Sequence, residues 1–208
     1  MEGFSANSIW HLPQLVMKAH FSWKLKKAFA GKAFSFVSSS CLGGRFSRIL
    51  AAQYRSPTVG LYFNPADYLS FISDLQKNLD TDLELDKSGS EQAGYPVASV
   101  NGIKIMLMHY ASFDEARTKW NARKSRVDMA NAFFIFTDRD GATYEHLLAF
   151  DKLPFRRKIV FVHKPYPEIR SAVYVKGFEQ AGQVGELYSQ WHRLDGALPQ
   201  AMLKGLAA

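Results

Sequence analysis

The stretch from Phe34 to Tyr54 constrains this chain more than any other. An apolar run, Phe34-Ser35-Phe36-Val37, ends in Ser38-Ser39-Ser40-Cys41-Leu42-Gly43-Gly44, and a helical pattern from Phe46 to Tyr54 follows at once. Strand, small-residue turn, helix is the order found where a parallel sheet opens its ligand crevice. Glycines let backbone approach a bound group, and free N–H groups at a helix start attract anions. Ser38, Ser39, Ser40, Gly43 and Gly44 are therefore candidate substrate-binding residues for a phosphate or carboxylate. The turn is not a Walker loop, because no Gly-Lys-Ser/Thr follows, and it is not a complete dinucleotide fingerprint. The plain alternative is a tight turn whose glycines only relieve crowding.

The remaining pattern extends this unit into an α/β domain. Leu12 to Ala30 reads as a helix with Leu15, Val16, Ala19 and Trp23 along one face and Lys18, Lys24, Lys26, Lys27 and Lys32 making it basic. Strands are predicted over 34–38, 58–63, 132–137, 158–162 and 172–175. Asn64-Pro65 starts a helix to about Leu79. Residues 80–95 read as a polar loop. Asn101-Gly102 between two apolar runs signals a hairpin. Ser112-Phe113-Asp114-Glu115 reads as a capping box, opening a helix to about Val127. Short helices are predicted over 143–150 and 184–191. Alternating strands and helices point to a three-layer α/β sandwich with a mostly parallel sheet, made mixed by the hairpin. The expected organisation is a basic leader and helix over 1–30, one α/β domain over 31–195 and a frayed tail over 196–208.

With 208 residues, 47% apolar and 22% charged, the chain can bury one sizeable core. Its formal charge of +7 favours an anionic partner, and no nucleic-acid-binding motif is present to make that partner a specific nucleic acid. A lone cysteine, Cys41, excludes intramolecular disulfides and Cys-based structural zinc sites and fits a reducing compartment. No apolar run is long enough to span a bilayer. The N-terminus lacks an apolar core followed by a small-residue cleavage site, so no signal peptide is expected. The expected compartment is the cytoplasm. The basic first helix allows peripheral contact with the inner membrane, although the narrow apolar face favours a helix packed on the sheet with its lysines in water.

Three further constellations carry candidate chemistry. Cys41, at a helix start, is a candidate nucleophile, with His109 or His163 near strand ends as its base; a buried structural thiol is the commoner fate. Along the helix after Tyr110, Glu115, Lys119, Arg123 and Arg126 share a face beside Trp120, a basic stripe suited to phosphate, or else a solvated face that Trp120 anchors. Asp138, in Thr137-Asp138-Arg139-Asp140-Gly141 after a buried strand, is a candidate metal ligand, base or ribose ligand, or a turn cap. His11, His20, His146 and His192 have no ligand spacing, and no metal site is assigned.

Taken together, these segments resemble a bacterial family of unknown function, the one numbered nineteen-nineteen. The resemblance rests on Ser38 to Gly44, on Tyr54-Arg55-Ser56-Pro57-Thr58-Val59-Gly60-Leu61, and on His109-Tyr110 with Glu115-Ala116 and Lys119-Trp120-Asn121-Ala122-Arg123. Asp138-Arg139-Asp140 and Phe150-Asp151-Lys152-Leu153-Pro154-Phe155 continue it, so that it covers roughly residues 30–195. The resemblance implies an α/β fold and a setting among genes for capsule, exopolysaccharide or lipopolysaccharide assembly. It raises the standing of Cys41, His109, Lys119, Trp120 and Arg123.

The expected function is that of a cytoplasmic transferase of surface-polysaccharide biosynthesis. It would use a phosphate-bearing donor, nucleotide- or coenzyme A-linked, with no further cofactor assigned, and a sugar or glycolipid acceptor. In this reading the Ser38–Gly44 turn holds the anionic group. Lys119, Arg123 and Arg126 neutralise the leaving phosphate, and His109 or Asp138 is the base. The alternatives are a papain-like or acyl-transferring enzyme using Cys41 and His109, and a non-catalytic assembly module that binds partners or the inner membrane.

Overall fold

The computed structural model describes residues 12–197; the leader expected over 1–11 and the tail from 198 onward lie outside them. A four-stranded, wholly parallel sheet runs β1 (Ser35–Ser38), β5 (Ala132–Thr137), β6 (Lys158–Val162), β7 (Ala172–Tyr174), in that order. Ser38 stands opposite Ile135, Phe136 opposite Val160 and Phe161 opposite Val173. These strands are short, largely apolar and almost wholly buried because both faces are covered.

Alternation along each strand divides the core in two. Phe36, Phe133, Ile135, Ile159, Phe161 and Val173 face helices α1 (Leu12–Ala28), α2 (Leu42–Ile49) and α8 (Trp191–Ala197). Edge-on rings dominate there: Phe36 meets Phe29 at 5.2 Å and Phe46 at 5.8 Å between centroids. Val37, Phe134, Phe136, Val160 and Val162 face the other way, against α3 (Pro65–Ser73), α4 (Leu75–Asp80), α6 (Phe113–Lys124) and α7 (Tyr144–Lys152). On that side the buried Tyr68 stacks on Phe136 at 5.5 Å and donates its hydroxyl to the Val37 carbonyl at 2.8 Å. The three-layer α/β sandwich is thus the observed architecture.

The predicted hairpin is present, with Asn101 at φ 51° and Gly102 at φ 78°, the left-handed pair that a two-residue turn requires. Its strands β3 (Val97–Val100) and β4 (Ile103–Met106) do not join the parallel sheet. They form a second, antiparallel sheet with β2 (Glu84–Leu85), which covers the second core. The predicted strand over 58–63 reduces to one bridge, Tyr62 to Met106. Side chains take its place at the sheet edge: the Ser38 N–H donates to Thr58 Oγ1 at 3.0 Å, and Ser56 Oγ lies 2.9 Å from the same hydroxyl. The helix expected over 64–79 breaks at Asp74, whose backbone leaves the helical region. The polar loop over 80–95 is partly ordered: Asp86 accepts from the Gly89 N–H at 2.8 Å and caps α5 (Lys87–Ala93). The last helix begins at Trp191, so 184–190 is irregular.

The first helix also differs in its facing. Phe21, Leu25 and Phe29 are buried against the sheet, whereas Val16 and Trp23, on the face read as apolar, point outward.

Helix α2 lies close on β1. A Cβ on Gly43 would stand 3.0 Å from both the Phe36 carbonyl oxygen and Ser38 Cβ. Alanine is the better helix former by ~1 kcal/mol, yet overpacking costs about 1–3 kcal/mol. Gly43→Ala is therefore expected to destabilise the fold, read as a lower urea midpoint at unchanged slope. A raised midpoint would contradict the close packing.

Candidate functional site

The chain leaves β1 toward the first face through α2 and leaves β5 toward the second face, where Leu147 and Phe150 of α7 are buried. The carboxyl ends of these adjacent strands therefore splay apart, the position at which α/β sheets take ligands. A cavity of about 770 Å³ opens there. Ser40, Cys41, Leu42, Gly44 and Arg48 form its wall from the β1–α2 turn. Tyr54, Val59, Gly60 and Tyr62 line it from the following crossing. Tyr95, Met108 and His109 close it from the segments flanking the antiparallel sheet, Thr137, Arg139 and Asp140 from the end of β5, and Gly185 to Tyr188 from the segment before α8.

Cationic and phenolic groups converge in this space. Interactions with Tyr54 first and then Tyr188 hold the Arg48 guanidinium above its already high pKa. Arg139 donates to the Gly185 carbonyl at 3.3 Å and lies 3.9 Å from Asp140. Tyr62 and Tyr95 join hydroxyl to hydroxyl at 3.0 Å, and burial followed by that bond pushes Tyr62 up to about 12. Glu186 accepts from the N–H groups of Tyr188 and Ser189, fixing the turn at the rim.

Cys41 is the N-cap of α2 and half-buried beside this space. Burial pushes its thiol pKa up, Glu186 adds to that, and Arg139 opposes it. His109 lines the same cavity from β4's end and is exposed. No hydrogen bond joins His109 to Cys41 among those of the described residues.

The other sequence-predicted residues have structural tasks. Ser38 is buried, and its Oγ accepts from the Ser40 N–H at 3.3 Å. The Ser39 N–H and carbonyl join β5 and residue 63, while its hydroxyl is buried without a partner among the described residues. Gly44 packs on Val59, 3.0 Å from where its Cβ would be. Trp120 is 2% exposed, deep in the second core against Phe71. Lys119 pairs with Glu115 at 2.5 Å outside the cavity. Arg123 donates to the Val59 carbonyl at 3.0 Å and Tyr110 Oη at 2.8 Å and lies over the Tyr54 ring; Arg126 donates to the Tyr54 carbonyl. These two arginines clamp the crossing that carries Tyr54, Val59 and Gly60. They support a cavity wall and do not line it.

Asp138 is 4% exposed and outside the lining. Its carboxylate accepts from the His163 N–H at 2.7 Å and the Val184 N–H at 2.7 Å, and it pairs with His163 Nδ1 at 2.6 Å. The structure therefore unites two residues, Asp138 and His163, that sequence spacing treats separately. Arg48, Arg139, Tyr62, Tyr95, Glu186 and Tyr188 escaped the sequence reading. Only Arg139 had a local signal, its place beside Asp138 after a buried strand. No group of three or more His, Cys, Asp or Glu side chains among the described residues is placed to hold a metal ion. Nor is any helix among them long and apolar enough to cross a membrane.

Residues 13–200 match the family described as "Domain of unknown function (DUF1919)". The chain is also similar to an uncharacterized protein of Haemophilus influenzae (strain ATCC 51907 / DSM 11121 / KW20 / Rd). The two are 36% identical over 170 residues, 81% of each chain.

Two outcomes follow from this geometry. Removing the Asp138 carboxylate strands three buried donors, so Asp138→Ala is expected to cost about 3–5 kcal/mol in urea unfolding; a change below ~1 kcal/mol would show the network to be dispensable. Because the Cys41 thiol is raised, its alkylation by iodoacetamide is expected to follow an apparent pKa above the ~8.5 of a free thiol. The folded chain holds that proton longer, so the associated stability is present below the unfolded thiol's pKa and lost as pH rises through the folded value. An alkylation profile centred at or below the free-thiol value would overturn this reading.

Proposed function

The chain belongs to the DUF1919 family, and from that footing we propose that it is a transferase of surface-polysaccharide biosynthesis acting on a phosphate-bearing activated donor. One observation carries the reading: a cavity at the carboxyl edge of the parallel sheet unites Arg48 and Arg139 with the turn that opens α2 and with four tyrosines. Guanidinium forks match phosphate oxygens, and aromatic faces suit a base or sugar ring. The volume of about 770 Å³ lies within the range of small-molecule sites. The polysaccharide setting is supported by the family resemblance of the Ser38–Gly44, His109–Arg123 and Asp138–Asp140 motifs.

In this reaction the acceptor hydroxyl gives its proton to His109, the exposed base of the cavity. The acceptor oxygen bonds to the transferred group, and the bond from that group to phosphate breaks with its electron pair on the phosphate. Arg48 and Arg139 hold the charge that develops there. Asp138 is committed to three donors, so the base role passes to His109. Arg123 and Arg126 act at one remove by holding the Tyr54–Gly60 wall.

The second reading, acyl transfer by Cys41 with His109, draws on their shared cavity. The protonated thiol that burial and Glu186 favour weighs against it.

A donor that binds the folded chain raises its melting temperature by mass action. Sugar nucleotides, acyl-coenzyme A, simple nucleotides and phosphate are to be compared by thermal shift. One phosphate-bearing class is expected to stabilise the protein, and Arg48→Ala to weaken it about ten- to a hundredfold, the loss of one charged hydrogen-bond partner. Equal binding by Arg48→Ala, or no shift with any donor, would sink the assignment.

A further inference from the structure

Helix α1 is apolar on two opposite faces. Phe21 and Leu25 are buried on α2, α8 and the sheet. On the other side Val16 is 64% exposed and Trp23 57% exposed, with Ala19 exposed between them. At spacings of three and four these residues form one outward stripe. Lys26 and Lys27 are exposed on either side of it, and Lys18 and Lys32 are exposed farther round the helix and beyond its end. No carboxylate among the described residues pairs with any of the four. Among the described residues the one acid paired with the helix, Asp195, is taken by His20 at 3.0 Å and Lys24 at 3.2 Å. The helix itself carries no Asp or Glu. Lys27 lies 5.2 Å from the Trp23 ring centre, and the His20 ring stacks on Trp23 at 6.2 Å between centroids.

Each part of this face narrows the occupant. An acidic nucleic acid backbone would use the lysines and leave Val16 and Ala19 against water. A second copy of a chain with formal charge +7 would bring lysines onto lysines. A bilayer with anionic headgroups supplies both partners at once: negative charge at the depth of the lysine ammonium groups and acyl boundary at the depth of Val16 and the Trp23 ring. We propose that the outward face of α1 docks this protein on an anionic lipid surface, lying in the interface plane without crossing it. The helix spans 17 residues, ~25 Å at 1.5 Å per residue, enough to rest along a headgroup layer. This surface contributes no residue to the cavity, so the proposal is independent of the reaction assigned there.

The test is sedimentation of the purified full chain with vesicles of phosphatidylcholine alone or with phosphatidylglycerol. Wild type is compared with Trp23→Ala, Trp23→Phe and the pair Lys26→Gln with Lys27→Gln. All four changes are on exposed side chains, and circular dichroism with melting checks that each variant is folded. Binding is expected only to the anionic vesicles. The lysine pair is expected to weaken it about 25-fold, from ~1 kcal/mol per lysine converted at 1.4 kcal/mol per tenfold. Trp23→Ala is expected to weaken it and Trp23→Phe to retain it. Three results would overturn the proposal: no sedimentation with either vesicle, binding to anionic vesicles that ignores Trp23→Ala, or a concentration-dependent dimer abolished by Trp23→Ala, which would give the face to a second copy.

Discussion

One carboxylate joins segments that the chain separates widely. Asp138 follows β5; its oxygens take the backbone and ring of His163, which follows β6, and the backbone of Val184, 46 residues on. Without that junction the irregular stretch from 184 to 190 has little to define its path. It has no helix or strand of its own and relies on Val184 and Leu187 in the first core. Arg139 and Asp140 add two more ties, to the Gly185 carbonyl and to Gln183. The cavity wall from Gly185 to Tyr188 is therefore hung from the end of one strand. A buried charge needs such saturation to be tolerated, and here three donors supply it.

A second clamp acts from the opposite side. The crossing from Tyr54 to Gly60 has no ladder partners, since its predicted strand does not form. Tyr110 donates its hydroxyl to the Val59 carbonyl and receives a bond from Arg123, whose guanidinium also reaches Val59 and covers Tyr54. The basic stripe of α6 thus has a division of labour that its even spacing conceals. Lys119 is spent on a helical pair with Glu115, whereas Arg123 and Arg126 turn inward to backbone carbonyls. A guanidinium can serve several acceptors in a plane, and a lysine in the same place would hold one or two.

Legibility in the sequence followed the range of the interactions. The strands β1, β5 and β6, the Asn-Gly hairpin and the Ser112 cap are readable because their causes are local: largely apolar runs, a left-handed turn and a side-chain acceptor three residues from its N–H donor. The strand over 58–63 misled because its apolar pattern is real, yet Thr58 and Ser56 satisfy the edge of β1 with hydroxyls. In the first helix the most continuous apolar pattern runs from Val16 to Trp23, yet Phe21 and Leu25 decide the packing. At the site, local pattern marks the turn at Cys41 and marks His109, and both line the cavity. Arg48, Tyr62, Tyr95 and Tyr188 were invisible, because nothing in their neighbourhoods marks a residue whose role depends on four distant segments meeting.

The turn that was readable owes its position to what it lacks. A Cβ at Gly43 would press on β1, and one at Gly44 would press on Val59 at 3.0 Å. Successive residues of one helix turn thus touch the sheet on one side and the clamped crossing on the other. Helix α2 can sit in that slot only if both positions are bare. Its placement sets where Cys41 faces the cavity and where Arg48, nearly two turns on, meets Tyr54 and Tyr188. The same helix is the floor on which α1 rests through Phe21 and Phe46, 6.4 Å apart. The cavity and the outward face of α1 are therefore separated by a single layer, α2, which Gly43 lets approach the sheet and Gly44 lets approach the crossing.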